Sequence, residues 1–382
     1  MNLERFRDSL DRWLDDNAEE LAPDPDATTT LDGGMAQLSK VKRLTYDAGW
    51  MRWGWPERVG GLGGSTLFRA YLGEALVARD LVEPGIFSMT EVLAPTMIDY
   101  ASPELAATMV PRLLRGDETW CQGFSEPGTG SNLAALACRA TRTDDGWSVN
   151  GQKVWTSLAQ YAQRCVLLVR TGTTEDAHRG ITALFVDMVT PDGEPAPGIT
   201  IRPIETMHGR EEFCEVFFDD VVVPFDRMLG DVGQGWAAAM DLLPFERSTA
   251  LWQRGAFLHQ RLDHLLATAP TEALSPSEVG TSFLHLYTFR ARSRSTQHRM
   301  AAGDKLGPET SVDKILLATV EQSVFDLAAD ALADDVLIGD DDASEGWRSE
   351  FLYSRAASIY GGSSEIQRNI VARRLLDLGA DR

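Results

Sequence analysis

Lysine is almost missing from this chain. Among 382 residues only Lys40, Lys42, Lys153, Lys305 and Lys314 are lysines, and arginine supplies the rest of the 36 cationic side chains that face 57 acidic ones. The formal net charge of −21 repels a phosphate backbone and argues against a nucleic-acid partner. Cysteine is scarce as well. Cys121, Cys138, Cys165 and Cys214 are widely spaced, with no C-x-x-C pair and no matching histidine pair. Neither a metal site nor a disulfide framework is expected, and buried free thiols are. Long apolar runs are also lacking. Stretches such as Cys165–Val169 and Trp236–Met240 fall far short of the roughly 20 residues that span a bilayer. The opening Met1-Asn2-Leu3-Glu4-Arg5-Phe6 mixes charges and has no apolar signal core, so a cytoplasmic protein without membrane insertion is expected.

What is present is ordinary globular material, 43% hydrophobic and 24% charged, long enough for two or three units. Residues 1–115 read as helices. Leu3, Phe6, Leu10 and Leu14 recur at helical spacing, as do Phe68, Leu72, Ala75 and Leu76, then Leu105, Met109 and Leu113. The Gly-rich stretch Trp55–Gly64 has the wrong spacing for a dinucleotide fingerprint and no buried strand before it, so it reads as a loop. Residues 116–228 turn β-rich, with Ser148–Asn150, Val166–Arg170, Thr182–Val186 and Glu215–Phe218 separated by Gly, Asp and Pro turns. A small antiparallel unit is expected there. Residues 229–382 return to helix. Leu316, Val320, Val324, Leu327, Ala328 and Ala331 share one face, Gly339–Glu345 reads as an exposed acidic loop, and a last helix begins near Ser363-Ser364-Glu365.

Four segments carry chemistry. Phe124-Ser125-Glu126-Pro127-Gly128-Thr129-Gly130-Ser131-Asn132 is a hydroxyl-bearing loop whose glycines admit a ligand close to backbone. Asn150-Gly151-Gln152-Lys153-Val154-Trp155-Thr156-Ser157 opens on a hairpin signal and offers an indole followed by hydroxyls. Phe217–Pro224 and Leu229–Trp236 leave the β unit through a Gly-rich bend. Ile359-Tyr360-Gly361-Gly362-Ser363-Ser364-Glu365-Ile366-Gln367-Arg368 feeds two glycines into a helix start suited to a phosphate or a polar ring edge. Taken singly, each is compatible with plain turn and capping chemistry.

In this order and spacing the four segments resemble the acyl-CoA dehydrogenase family over nearly the whole chain. The resemblance implies a mainly α fold with a central β domain: an N-terminal helical domain, a β-barrel or sandwich, and a C-terminal four-helix bundle. It implies non-covalent FAD between the β domain and the bundle, with Gln122, Phe124, Ser125, Trp155 and Ser157 facing the flavin and Ser363 and Glu365 reaching it from the last helix. Ser131 matches a position near the cofactor and the acyl-CoA thioester, and Arg247 and Gly362 fall on the substrate side. The implied reaction is α,β-dehydrogenation of an acyl-CoA. The implied electron acceptor is an electron-transfer flavoprotein.

Three departures qualify the likeness. Many family members have the catalytic glutamate where this chain has Gly361, which has no side chain to take a proton. A subset uses a glutamate just before an arginine on another helix, and Phe245-Glu246-Arg247 stands at that place, so Glu246 is the expected base. The bundle's R-x-x-F-G motif is absent, with Phe289-Arg290-Ala291-Arg292-Ser293-Arg294 in its region, and Leu337-Ile338-Gly339-Asp340-Asp341 replaces a Q-x-x-G-G-x-G segment. In the family both reach a neighbouring subunit's cofactor. A heterotetramer with a homologous chain is therefore expected. A homo-oligomer in which Arg290, Arg292 or Arg294 substitutes, a non-catalytic subunit, an oxygen-using flavoenzyme and a flavin-free scaffold are the competing readings. Pro244, two residues before Glu246, gives no pocket size, so straight, branched and sterol-derived acyl groups stay open.

Overall fold

The structure, a computed structural model, describes residues 1–24 and 30–379. The apolar spacing that opens the chain forms helix α1 (Leu3–Asp16), started by the Asn2 side chain accepting from the Arg5 N–H and burying Phe6, Leu10 and Leu14. Helices α2 (Ala18–Leu21), α3 (Leu31–Asp47), α4 (Leu67–Val77), α5 (Pro84–Tyr100) and α6 (Pro103–Arg115) follow. The Gly-rich stretch between α3 and α4 is irregular apart from two short 3-10 turns. Helix α5 is apolar nearly all round and is buried from Thr90 through Ile98, as a helix packed on several sides must be. Its one buried carboxylate, Glu91, pairs with Arg69 of α4 at 3.2 Å, and the Arg69 guanidinium lies 3.8 Å over the Trp55 ring.

Strands β1 (Trp120–Gly123), β2 (Arg139–Arg142), β3 (Trp147–Ser157), β4 (Arg164–Arg170), β5 (Ile181–Asp187), β6 (Ile199–Ile204), β7 (Phe213–Val223) and β8 (Met228–Leu229) form one hydrogen-bonded path, β6-β7-β3-β2-β4-β5-β8, with β1 beside β4. The sheet is not purely antiparallel, since β1 and β2 both run parallel to β4. It curls around its own core of Cys121, Val149, Leu167, Leu184 and Val216. The opposite faces of β4 and β5, through Val166, Leu168 and Phe185, join the helical core instead. The four cysteines are free and buried.

The Asn150-Gly151 pair does not turn a hairpin. It sits inside β3 at a register shift against β7. There Asn150 donates to the Asp220 carboxylate at 2.9 Å and accepts from the Asp220 N–H at 3.0 Å. Gly151 lets the strand pass close to its neighbour, because a Cβ there would stand 2.7 Å from Cys138 Cα. The turn into β3 is made by Asp144-Asp145-Gly146, closed by the Thr143 N–H to the Gly146 carbonyl at 2.8 Å.

Helices α7 (Gly235–Glu246), α8 (Thr249–Thr268), α9 (Pro276–Ala301), α10 (Thr310–Ile338), α11 (Asp342–Ser354) and α12 (Ser364–Arg374) complete the chain. Val320, Val324, Leu327, Ala328 and Ala331 are buried along one face of α10. The acidic stretch Gly339–Glu345 is only partly a loop. The Asp341 carboxylate accepts from the Ser344 N–H at 2.7 Å and caps α11, so Asp342–Glu345 are helical. Acidic residues at a helix start favour that outcome through the cap and the dipole. Among the described residues no helix is long and apolar enough to cross a membrane, and no acidic, His or Cys group is arranged to hold a metal.

Helix α7 docks on the sheet through Gly235. A methyl group there would stand 2.4 Å from the Thr182 carbonyl carbon of β5. Gly235→Ala is therefore expected to destabilise the fold by about 1–3 kcal/mol or more, the usual cost of overpacking against an unyielding neighbour. A denaturant midpoint equal to that of the wild type would refute this reading of the junction.

Candidate active site

Loop 124–138 is welded to β3 by buried charge. The Lys153 ammonium, wholly buried, donates to the Phe124 carbonyl at 3.1 Å and pairs with the Glu126 carboxylate at 2.8 Å. Glu126 also accepts from the N–H groups of Ala137 at 2.6 Å and Cys138 at 2.9 Å. The Val154 N–H completes the seam by donating to the Ser125 carbonyl at 2.9 Å. A buried ion pair is tolerated only when its remaining hydrogen-bonding capacity is met, and here backbone groups meet it.

The second register shift of β3 falls between Lys153 and Thr156. Trp155 adopts a left-handed φ of +58°, a strained conformation for a bulky residue. The result is an indole 58% exposed, with Phe213 edge-on at 6.1 Å. A large aromatic ring that the protein's own core leaves uncovered, beside the Ser125 loop and next to Ser157, is a platform for a flat ring system. The residues present thus fit a flavin.

A second cluster forms where α7 ends. Glu246 is the last residue of α7, and Arg247 and Ser248 break the chain before α8. Burial raises the Glu246 carboxyl above the ordinary carboxylate range, against the opposing pull of Arg247 and Lys314. No group of the chain donates a hydrogen bond to this carboxylate among the described residues. It occupies the space beside Gly361. A Cβ at Gly361 would meet Glu246 Oε1 at 3.0 Å and Lys314 Cε at 3.1 Å, and Gly361 has φ +61°. The Gly361 carbonyl accepts from Arg247 Nη2 at 3.2 Å and Gln367 Nε2 at 3.0 Å, and Gln367 also donates to the Gly362 carbonyl at 3.2 Å. The N–H groups of Gly361 and Gly362 donate to no group among the described residues.

The residues singled out in the sequence thus sort into two groups. Phe124, Ser125, Trp155 and Ser157 gather along the β3 seam, with Gln122 on β1. Glu246, Arg247, Gly361 and Gly362 gather at the α7 end, followed by Ser363, whose hydroxyl caps α12 by accepting from the Ile366 N–H at 3.4 Å. Ser131 stands on an exposed loop, and Glu365 is exposed with Arg368 3.9 Å away. Sequence reasoning did not single out the Glu126–Lys153 pair or Lys314 as buried charges. The available signal was the rarity of lysine itself: three of the five lysines, Lys42, Lys153 and Lys314, are buried.

Models of the acyl-CoA dehydrogenase N-terminal, middle and C-terminal domains match residues 2–117, 121–221 and 233–376. The chain is 34% identical to the acyl-CoA dehydrogenase IpdE1 of Mycobacterium tuberculosis over 388 residues, covering 99% of this chain and 98% of that protein. It is 32% identical to the acyl-CoA dehydrogenase FadE34 of the same organism, over 90% of this chain and 47% of that one. Among solved structures, the Tcur3481-Tcur3483 steroid ACAD has a TM-score of 0.83 at 24% identity, covering 100% of this chain and 98% of that one. The ChsE4-ChsE5 complex from Mycobacterium tuberculosis has a TM-score of 0.78 at 25% identity, covering 99% and 98%. The chain belongs to the acyl-CoA dehydrogenase family and is an oxidoreductase of that kind.

Lys153→Met would leave the Glu126 carboxylate buried without its cation. Removing one member of a buried pair costs about 3–5 kcal/mol, so its unfolding midpoint should fall well below wild type. Adding Glu126→Gln should recover part of the loss. A double variant no more stable than the single one would show that charge is not the issue.

Proposed function

We propose that the chain catalyses FAD-dependent α,β-dehydrogenation of an acyl-CoA thioester, with Glu246 as the base. The observation that carries this reading is the Glu246 carboxylate itself: half-buried, without a hydrogen-bond donor among the described residues, and filling the volume a side chain at position 361 would claim. The α C–H of a thioester is a weak acid, so its removal needs a positioned base and donors for the oxygen that gains charge. Glu246 would take the proton. The free N–H of Gly361 or Gly362 would donate to the thioester oxygen, on a turn that Arg247 and Gln367 hold from the carbonyl side. The Trp155 platform, with Gln122, Phe124, Ser125, Ser157, Ser363 and Glu365, would hold the cofactor, with Ser131 between cofactor and thioester. Bound FAD would supply the acceptor for the β hydride.

The acyl group is best sought with a panel of straight, branched and steroid-derived acyl-CoAs and an artificial electron acceptor. The steroid arm is motivated by the steroid ACAD of similar fold. An electron-transfer flavoprotein is the proposed natural acceptor. Rapid reaction of the reduced flavin with oxygen would point instead to an oxygen-using enzyme.

Glu246→Gln should keep the fold and flavin content and lower turnover by about 10²-fold or more. Because the carboxylate is the active form, wild-type turnover should fall as pH drops through a midpoint above the free-carboxylate value of about 4.3. Activity of Glu246→Gln within a few-fold of wild type would exclude Glu246 as the base.

We also propose a heteromer with a homologous chain. Arg290 and Arg292, the residues a homo-oligomer could offer in place of the missing motif, are committed within this chain. Arg290 bonds Glu74 and His259, and Arg292 pairs with Asp313 and donates to the Glu309 carbonyl at 3.2 Å. Arg294 alone of the three lacks a carboxylate partner among the described residues. The outward face of α9 carries exposed Phe283, Leu284 and Tyr287, an apolar patch suited to a subunit surface. Native mass and flavin content of the chain expressed alone and with candidate partners decide the matter. A stable homo-oligomer with one FAD per chain and full activity would exclude the heteromer.

A further inference from the structure

Lys314 has no part in the proton transfer described above, yet it shares the space around Gly361 with Glu246. It lies on α10, 4% exposed. Its ammonium donates to the Ala357 carbonyl and stands 4.2 Å over the Tyr360 ring. Its Cε and the Glu246 carboxylate oxygen close on the same point, the place of a Gly361 Cβ, at 3.1 and 3.0 Å. An ammonium in so dry a position costs solvation, and burial lowers the Lys314 ammonium to about 8. The other buried charges of α10, Asp313 and Glu321, are paired with Arg292 and Arg254. A buried charge held there, in a chain with only five lysines, calls for a partner that needs it.

We propose, on the reading of Glu246 as base, that Lys314 is its positioning residue. The ammonium ties α10 to the turn before α12, its stem meets the carboxylate at the Gly361 Cβ position, and it adds to Arg247 a positive charge that favours the ionised form. The other charged or titratable groups around this pair are accounted for. Arg247 adjoins Glu246 and is directed to the Gly361 carbonyl. Glu321, one helical stretch along α10, is bonded to Arg254 of α8 at 2.9 Å, which also pairs with Glu350 of α11 at 2.8 Å. Tyr360 presents its ring to Lys314, and burial pushes the phenols of Tyr360 and Tyr353 up, leaving both neutral. Glu321 acts on Lys314 as well as Glu246 does, and more strongly, but Glu321 has its own ion pair with Arg254 whereas Glu246 has none among the described residues.

The test is an infrared pH titration of the flavin-loaded protein, with its partner subunit where one is needed. The protonated-carboxyl band that vanishes in Glu246→Gln reports Glu246 without any substrate. In Lys314→Met the midpoint of that band should rise by roughly 1–2 units, the usual effect of losing a nearby opposite charge. Lys314→Arg should hold it within about half a unit, since the charge is kept. A role in packing alone would not move the midpoint. If Lys314→Met does not fold, Lys314→Gln replaces it with the same expectation. A midpoint unmoved in the charge-removing variant overturns the proposal and leaves the base assignment intact. Full turnover in Glu246→Gln overturns the base assignment, whatever the titration reads.

Discussion

The site is organised around a volume that only one side chain can fill. The Cβ position of Gly361 lies 3.0 Å from a Glu246 oxygen and 3.1 Å from Lys314 Cε, closer than ordinary contact, and the left-handed backbone at Gly361 penalises any residue but glycine. Space and strain therefore act in the same direction. A carboxylate can reach this point from α7 or from the turn before α12, but not from both. Once Glu246 takes it, Gly361 is fixed as glycine, its carbonyl is free to accept from Arg247 and Gln367, and its N–H is left without an acceptor among the described residues. The break between α7 and α8 follows from the same constraint. Glu246 must end one helix so that Arg247 can turn toward the Gly361 carbonyl while Ser248 and Thr249 begin the next.

Buried cations perform comparable work elsewhere. Lys153 joins the Phe124–Cys138 loop to β3, Lys42 of α3 donates to Thr90 of α5 at 2.9 Å, and Arg69 answers Glu91 in the same region. Each links two segments far apart in sequence. An apolar contact could supply the adhesion, but a charged pair also fixes register, because a shift of one residue would leave both charges unpaired at a cost of several kcal/mol. The strained Trp155 backbone depends on this anchoring. It follows Lys153 by two residues, so the ion pair holds the strand at the point where the bulge throws the indole outward.

How much of this was legible in the sequence depended on range. Helical periodicity gave α1, α4, α6 and α10 because their apolar faces repeat within a single element. The family motifs marked the loop, the strand and the last helix start, and the absence of a side chain at position 361 directed attention to Glu246. Local signals failed where a distant partner decided. Asn150-Gly151 has hairpin chemistry, but the paired β7 strand and the Asp220 contacts turn it into a bulge. Gly339–Glu345 is acidic and polar, but the Asp341 cap makes its second half helical. The Glu126–Lys153 ion pair and the meeting of Glu246 and Lys314 at the Gly361 Cβ position bring together residues whose proximity no periodicity encodes.

Charge is divided unevenly between interior and surface. The buried cations Lys42, Arg69, Lys153, Arg170, Arg247 and Lys314 nearly balance the buried acids Glu91, Glu118, Glu126, Asp313 and Glu321, with Glu246 beside them. The interior is thus close to neutral, and the excess of −21 lies almost wholly on the surface. Such a surface opposes the approach of an anionic ligand at long range, and acyl-CoA and FAD both carry phosphates. On the proposed function their binding would depend on short-range contacts strong enough to overcome that field. Charge-assisted contacts to phosphate are the strong ones available, and in this chain Arg290 and Arg292, in the region of the missing motif, are already paired inward. A neighbouring chain with free cations at the shared surface would supply what this one has turned to its own interior. The inward use of charge around Glu246 is thus what the proposed partner chain would complement.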